Sequence, residues 1–128
     1  MSTFTLNQRS LTALKGVHPD LVKIVNLAIT LTDTDFIVTE GVRTLAKQKQ
    51  LVAAGASQTM RSRHLTGHAV DLAAMVAGKV RWDYPLYTKL SVAMKAAAKK
   101  LNIPLEWGGD WKSFKDGPHF QLPWRQYP

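Results

Sequence analysis

The amino-acid sequence predicts an α+β fold, a single compact domain in which a small, mostly antiparallel sheet is flanked by about three helices. Helical and strand-like segments follow one another in mixed order along the chain. One strand segment runs into Ala77-Gly78 and is followed at once by Val80 and Trp82, the pattern of a hairpin. The 128 residues contain no internal repeat, low-complexity tract or Ser/Gly linker. Residues 1–128 are therefore expected to form one domain with one core, burying roughly two-thirds of the surface the unfolded chain exposes.

His18-Pro19-Asp20 reads as a turn and helix start. Leu21, Ile24, Val25, Leu27, Ala28 and Leu31 then recur at helical spacing, with an end expected near Thr32. Phe36, Ile37 and Val38, bounded by Asp33-Thr34-Asp35 and Gly41, form the first strand. Thr44 caps a second helix bearing Leu45, Gln48, Leu51 and Val52 and closed by Gly55. Residues 56–63 are polar and turn-like, and residues 69–76 alternate as a strand. Pro85 opens the longest helix, which places Leu86, Leu90, Ala93, Met94, Ala97 and Leu101 on its inward stripe and stops at Asn102. Leu105-Glu106-Trp107 and His119-Phe120-Gln121-Leu122 are the last strands, separated by Gly108-Gly109-Asp110-Trp111 and a polar loop.

Lys and Arg number 17 against 9 Asp and Glu, a formal net charge of +8 that favours polyanions: nucleic acid, an anionic membrane surface or an acidic polymer. Between Gly41 and Val70 lie Arg43, Lys47, Lys49, Arg61 and Arg63 and no acid, while Lys95, Lys99 and Lys100 read as the wet side of a helix. The absence of cysteine excludes a disulfide scaffold, a thiolate zinc finger and a cysteine nucleophile. The N-terminus lacks a basic segment followed by an apolar one, and no stretch is long and apolar enough to span a bilayer. The expectation is synthesis in the cytoplasm without a signal peptide and no stable membrane insertion. A substrate outside the membrane would then require help across it.

Chemistry concentrates in Ser62-Arg63-His64-Leu65-Thr66-Gly67-His68-Ala69-Val70-Asp71 and in Asp116-Gly117-Pro118-His119. Two neutral imidazoles and one ionised carboxylate, His64, Asp71 and His119, make one of the ligand sets of catalytic zinc, with a fourth position left for water. Gly67 lets the chain turn between His64 and Asp71, and His119 must arrive from a neighbouring strand. Asp116, set by a Gly-Pro turn before the third ligand, is placed to move a proton from water to a leaving amine. Arg43 presents a permanent fork of donors for an oxyanion or a substrate carboxylate, and Ser62 can add a hydroxyl. His18, in a turn, and His68, in a polar loop, read as structural or surface residues.

At these residues the sequence resembles the LAS-type zinc peptidases, which include the VanY-like D-alanyl-D-alanine carboxypeptidases, related dipeptidases and the phage L-alanyl-D-glutamate endolysins. The family pattern Ser-x-His-x-x-Gly-x-Ala-x-Asp followed by acid-x-x-His stands here without substitution. Gly41-Val42-Arg43-Thr44 with Gln48 and Leu51 is similar to the family's arginine segment, and Gly108-Gly109-Asp110-Trp111 to the loop before its last ligand, so the resemblance covers roughly residues 15–122. It implies a hedgehog/DD-peptidase-like fold, one zinc ion on His64, Asp71 and His119, Asp116 as general acid/base, Arg43 as transition-state stabiliser and Ser62 as a substrate or oxyanion donor. It further implies that Gln48 and Trp111 line or support the substrate site. An Asp at position 116, where many carboxypeptidase members carry Glu, is similar to the phage-type endopeptidases.

A lone basic catalytic domain of this kind implies an endolysin that cuts the L-Ala–D-Glu bond of the peptidoglycan stem peptide as a monomer in the periplasm, after release by a holin. Phage lysis and holin-assisted bacterial secretion are both compatible with it. Two other readings stand beside it: a D,D- or L,D-carboxypeptidase trimming stem peptides, and a basic nucleic-acid-binding module. The last predicts aromatics interleaved with basic residues, whereas Trp107, Trp111, Phe114, Phe120 and Trp124 are expected near the site, beside Asp110 and Asp116.

Overall fold

The computed structural model describes residues 4–56, 62–112 and 115–128. Its first helix, α1 (Gln8–Ala13), is one that the apolar pattern does not announce. Asn7 caps it, the side chain accepting from Ser10 N at 2.8 Å. In α2 (Pro19–Leu31), Pro19 occupies the first turn and His18 is the cap, its Nδ1 accepting from Asp20 N at 3.1 Å. Strand β1 (Asp35–Glu40) leads to α3 (Leu45–Ala53), which Thr44 caps through a 3.1 Å bond from Lys47 N. A single 3₁₀ turn, Arg63–Thr66, precedes β2 (Ala69–Val76). Ala77 and Gly78, both at positive φ (52° and 78°), make the tight turn to β3 (Lys79–Arg81). Helix α4 (Tyr84–Leu101) ends at Asn102, which takes a left-handed conformation. Strand β4 (Glu106–Trp107), a second 3₁₀ turn (Gly108–Asp110) and β5 (His119–Gln121) complete the described chain.

The strands form one antiparallel sheet in the order β1-β2-β5-β4, with β3 also pairing to β2. Alternation along β2 divides its residues between two faces. Val70, Leu72 and Ala74 join Phe36, Val38 and Phe120 in the core, where Leu21, Ile24, Val25 and Ala28 of α2 and Tyr87, Leu90, Met94 and Ala97 of α4 close over the sheet. Ala69, Asp71 and Ala73 point the other way. The register places Asp71 opposite His119 and Val70 opposite the core residue Phe120. A bulge between Val38 and Glu40 brings Glu40 opposite Asp71 as well, although strict alternation from Val38 would send it into the core. Glu40, Asp71 and His119 thus share one row across three strands, on the face the large helices leave open.

Four α-helices flank the sheet among the described residues, α1 being the addition to the expected three. It packs against the edge strand β1, and its buried Ser10 Oγ accepts from Val38 N at 2.9 Å. Arg61 and Phe114, counted above among the basic and aromatic residues, lie outside the described residues, as does most of the loop before Ser62. No helix among the described residues is long and apolar enough to cross a membrane.

Candidate metal centre and its surroundings

The 3₁₀ turn that delivers His64 is built by its neighbours. Ser62 Oγ accepts from His64 N at 3.2 Å, which leaves the Ser62 hydroxyl proton available, and Arg43 N donates to His64 O at 2.9 Å. Gly67 ends the turn at φ 77°; a Cβ there would stand 2.6 Å from the Gly16 carbonyl oxygen, so no side chain fits. The His64 ring is buried, and its Nδ1 lies 2.8 Å from the Gly41 carbonyl oxygen. A carbonyl only accepts, so Nδ1 carries the proton and Nε2 offers its lone pair, 3.2 Å from Asp71 Oδ1. From the neighbouring strand, His119 Nδ1 reaches the same oxygen at 3.3 Å. The ligand atoms of His64, Asp71 and His119 lie within 4.8 Å of one another, and they form a group able to hold a metal ion. Two imidazoles and a carboxylate with converging lone pairs suit zinc by donor chemistry.

Burial works against the Asp71 carboxylate, but the two imidazoles beside it, His119 and His64, outweigh burial and hold its pKa well below the usual range. His119 is pulled both ways: burial lowers its pKa, while Asp71 and the hydrogen bond with Gln121 raise it further.

Arg43 is clamped beside this group. Its Nε donates to Glu40 Oε1 at 2.9 Å and its Nη2 to the same oxygen, Nη1 donates to Gln48 Oε1 at 2.6 Å, and Nη2 stands 3.9 Å from Asp71 Oδ2. Gln48 is fully buried and supports the guanidinium from behind. Trp111 holds its indole 5.2 Å from the His119 ring, centroid to centroid.

Asp116 is held by its backbone. Its N–H donates to Gly108 O and its carbonyl accepts from His119 N, both at 3.1 Å, and a Cβ on Gly108 would meet the Asp116 carbonyl oxygen at 2.4 Å. Trp107 Nε1 donates to Gly117 O at 2.7 Å and ties the same turn to the core. Burial raises the Asp116 pKa and the Asp71 charge raises it further, against opposing contributions from His119, His64 and Arg43. Its carboxyl therefore feels the whole metal-ligand group.

Similarity to known proteins agrees with this geometry. The family model described as phage L-alanyl-D-glutamate peptidase matches residues 1–122. The chain belongs to this family. The phage T5 L-alanyl-D-glutamate peptidase is 34% identical over 118 residues, covering 89% of this chain and 86% of the relative. The Listeria phage A118 peptidase of the same name is 41% identical over 93 residues, 73% of this chain but only 32% of that longer protein. The crystal structure of Serratia marcescens L-Ala D-Glu endopeptidase ChiX superposes with a TM-score of 0.92 at 52% identity, covering 97% of this chain and 94% of that one. The D,D-dipeptidase VanXYg, at 18% identity and a TM-score of 0.54 over 83% of this chain and half of its own, shares the fold.

In this phage peptidase fold, several expected residues stand elsewhere. Trp107 and Phe120 stack within the core, 6.4 Å apart, and of the described aromatics named above Trp111 is the one ringed against a metal-ligand candidate. Trp124 covers Arg63, whose guanidinium lies 4.1 Å from the ring centroid. Arg63 itself is buried, with Nε and Nη2 donating to Leu122 O at 3.2 and 3.0 Å. The His18 and His68 rings lie tilted against each other with centroids 5.4 Å apart, beside Tyr127 and outside the candidate metal-ligand group. Glu40, the Gly41 carbonyl, Gln121 and Glu106 are the supporting groups that motif reading passes over. Gln121 lies two residues after His119 on a strand, and that period of two was its available signal.

Proposed function

We propose that the protein is a zinc-dependent endopeptidase that hydrolyses the L-Ala–D-Glu bond of the peptidoglycan stem peptide. The observation that carries this reading is the convergence of His64 Nε2, Asp71 and His119 Nδ1, in a chain of the phage L-alanyl-D-glutamate peptidase family. His64, Asp71 and His119 would hold one zinc ion, which when bound polarises the scissile carbonyl and acidifies water.

The remaining steps fall to side chains. Asp116, its pKa raised by burial, takes the proton of the attacking water and returns it to the leaving amine of D-Glu. Arg43, aligned by Glu40 and Gln48, faces the negative charge that develops on the carbonyl oxygen, and the Ser62 hydroxyl adds a donor. Trp111 bounds the substrate site beside His119. Gln48 serves the substrate indirectly, through Arg43. On this reading the enzyme works as a monomer on the wall, and a holin-type membrane protein lets it reach the periplasm.

Mass spectrometry of digested muropeptides tests the proposal. Release of disaccharide-L-Ala, abolished by a chelator and restored by zinc, is expected. Loss of only a terminal alanine would assign the chain to carboxypeptidase action, and full cleavage in the chelator would remove the metal.

A further inference from the structure

We infer that Gln121, itself aligned by Glu106, is a positioning residue that fixes the His119 ring with Nδ1 toward the metal position. The inference rests on the metal reading above and goes beyond it to the selection of the ligand atom. His119 and Gln121 lie two residues apart on β5 and so share a face, and the register sets Gln121 opposite Glu106 of β4. His119 Nε2 and Gln121 Oε1 are 2.7 Å apart, and both residues are only 6% exposed, so water competes little for either group.

The direction of this bond follows from what lies beyond it. Gln121 Nε2 donates to Glu106 Oε1 at 3.4 Å. A carboxylate accepts only, so the amide turns its NH₂ to Glu106 and leaves its oxygen for the ring. The ring must then carry its proton on Nε2, and Nδ1 is left with the lone pair. On the other side of the site the Gly41 carbonyl does the same for His64 with the nitrogens exchanged. Two unlike acceptors, a backbone carbonyl and a side-chain amide, thus aim opposite ring nitrogens at one point. Such partners also raise ligand basicity, and their loss weakens metal binding.

Zinc affinity, measured by competition with a chromogenic chelator, reads the effect without recourse to turnover. Gln121→Met keeps the volume and removes the acceptor; about 10- to 100-fold weaker binding is expected, at an unchanged fold by circular dichroism. The exchange Gln121→Glu with Glu106→Gln keeps an acceptor toward the ring and one carboxylate in the pair, and should hold affinity within about threefold of the wild type. Long-range ¹H–¹⁵N spectra of the zinc-loaded wild type, which need no variant, should show His119 bound through Nδ1 and protonated at Nε2. Undiminished affinity in Gln121→Met, or ligation through Nε2, overturns the inference while the metal site stands. Failure of the wild type to bind zinc overturns the metal reading and the inference with it.

Discussion

His119 sits between the Asp71 carboxylate and the Gln121 amide, and this makes the metal-free protein sensitive to pH. Burial lowers its pKa, yet the Asp71 and Gln121 interactions raise it above the ordinary value of 6.5. A group raised on folding contributes stability that is complete below the unfolded pKa and disappears as pH rises through the folded one. Asp71, depressed on folding, keeps its contribution above its ordinary value of 3.8 and loses it only in stronger acid. The chelated protein should therefore melt at progressively lower temperature as pH rises above 6.5, whereas zinc, which needs deprotonated ligands, should stabilise it more at the higher pH. A chelated protein whose melting point is flat or rising from there would contradict this account. For catalysis, Asp116→Ala should retain zinc and lose turnover, whereas His64→Ala should lose both, in paired metal analyses and rate assays. Arg43→Ala should lower kcat by about 10²- to 10³-fold, the usual effect of removing an oxyanion donor. The residues in these tests were legible because their spacing along the chain is itself chemical. Glu40 was not, because only a bulge turns it to the face of Asp71, and Glu106 was not, because its link to Gln121 depends on strand register.

Helices α2, α3 and α4 were legible because each carries a boundary signal: His18-Pro19, Thr44 and Asn102. Helix α1, at 6 residues, is too short to show a period, and its Asn7 cap was the one local cue. It contributes through a side chain instead. Ser10→Ala would leave the buried Val38 N–H on an edge strand without a partner, at a cost of about 1–3 kcal/mol by urea denaturation. An unchanged midpoint would show that water replaces the hydroxyl. The turn after His64 is more demanding, since Gly67 combines a left-handed φ with contact against Gly16. Gly67→Ala should reduce both stability and zinc affinity, because relief of that contact shifts the segment joining two ligands; a loss confined to stability would separate the turn from the site.

For the whole molecule, the excess of +8 charges concerns encounter with the wall more than the chemistry. Screening shortens from about 10 Å at 0.1 M salt to about 3 Å at 1 M, so lysis of intact sacculi should fall across that range while cleavage of soluble muropeptides changes little. Equal responses of the two substrates would remove the electrostatic capture. Which cationic residues act is not what the charge count suggests, because Arg63 is spent inside, on the carbonyls of the last residues and under Trp124. The ladder between β2 and β5, where Asp71 faces His119, has a different kind of consequence. A slip of one residue would set Phe120 opposite Asp71 and turn the imidazole into the core. Assembly errors are therefore digital: a misregistered molecule has no site at all, and a refolded sample should divide into fully competent and inert molecules, with the zinc-binding fraction equal to the active fraction.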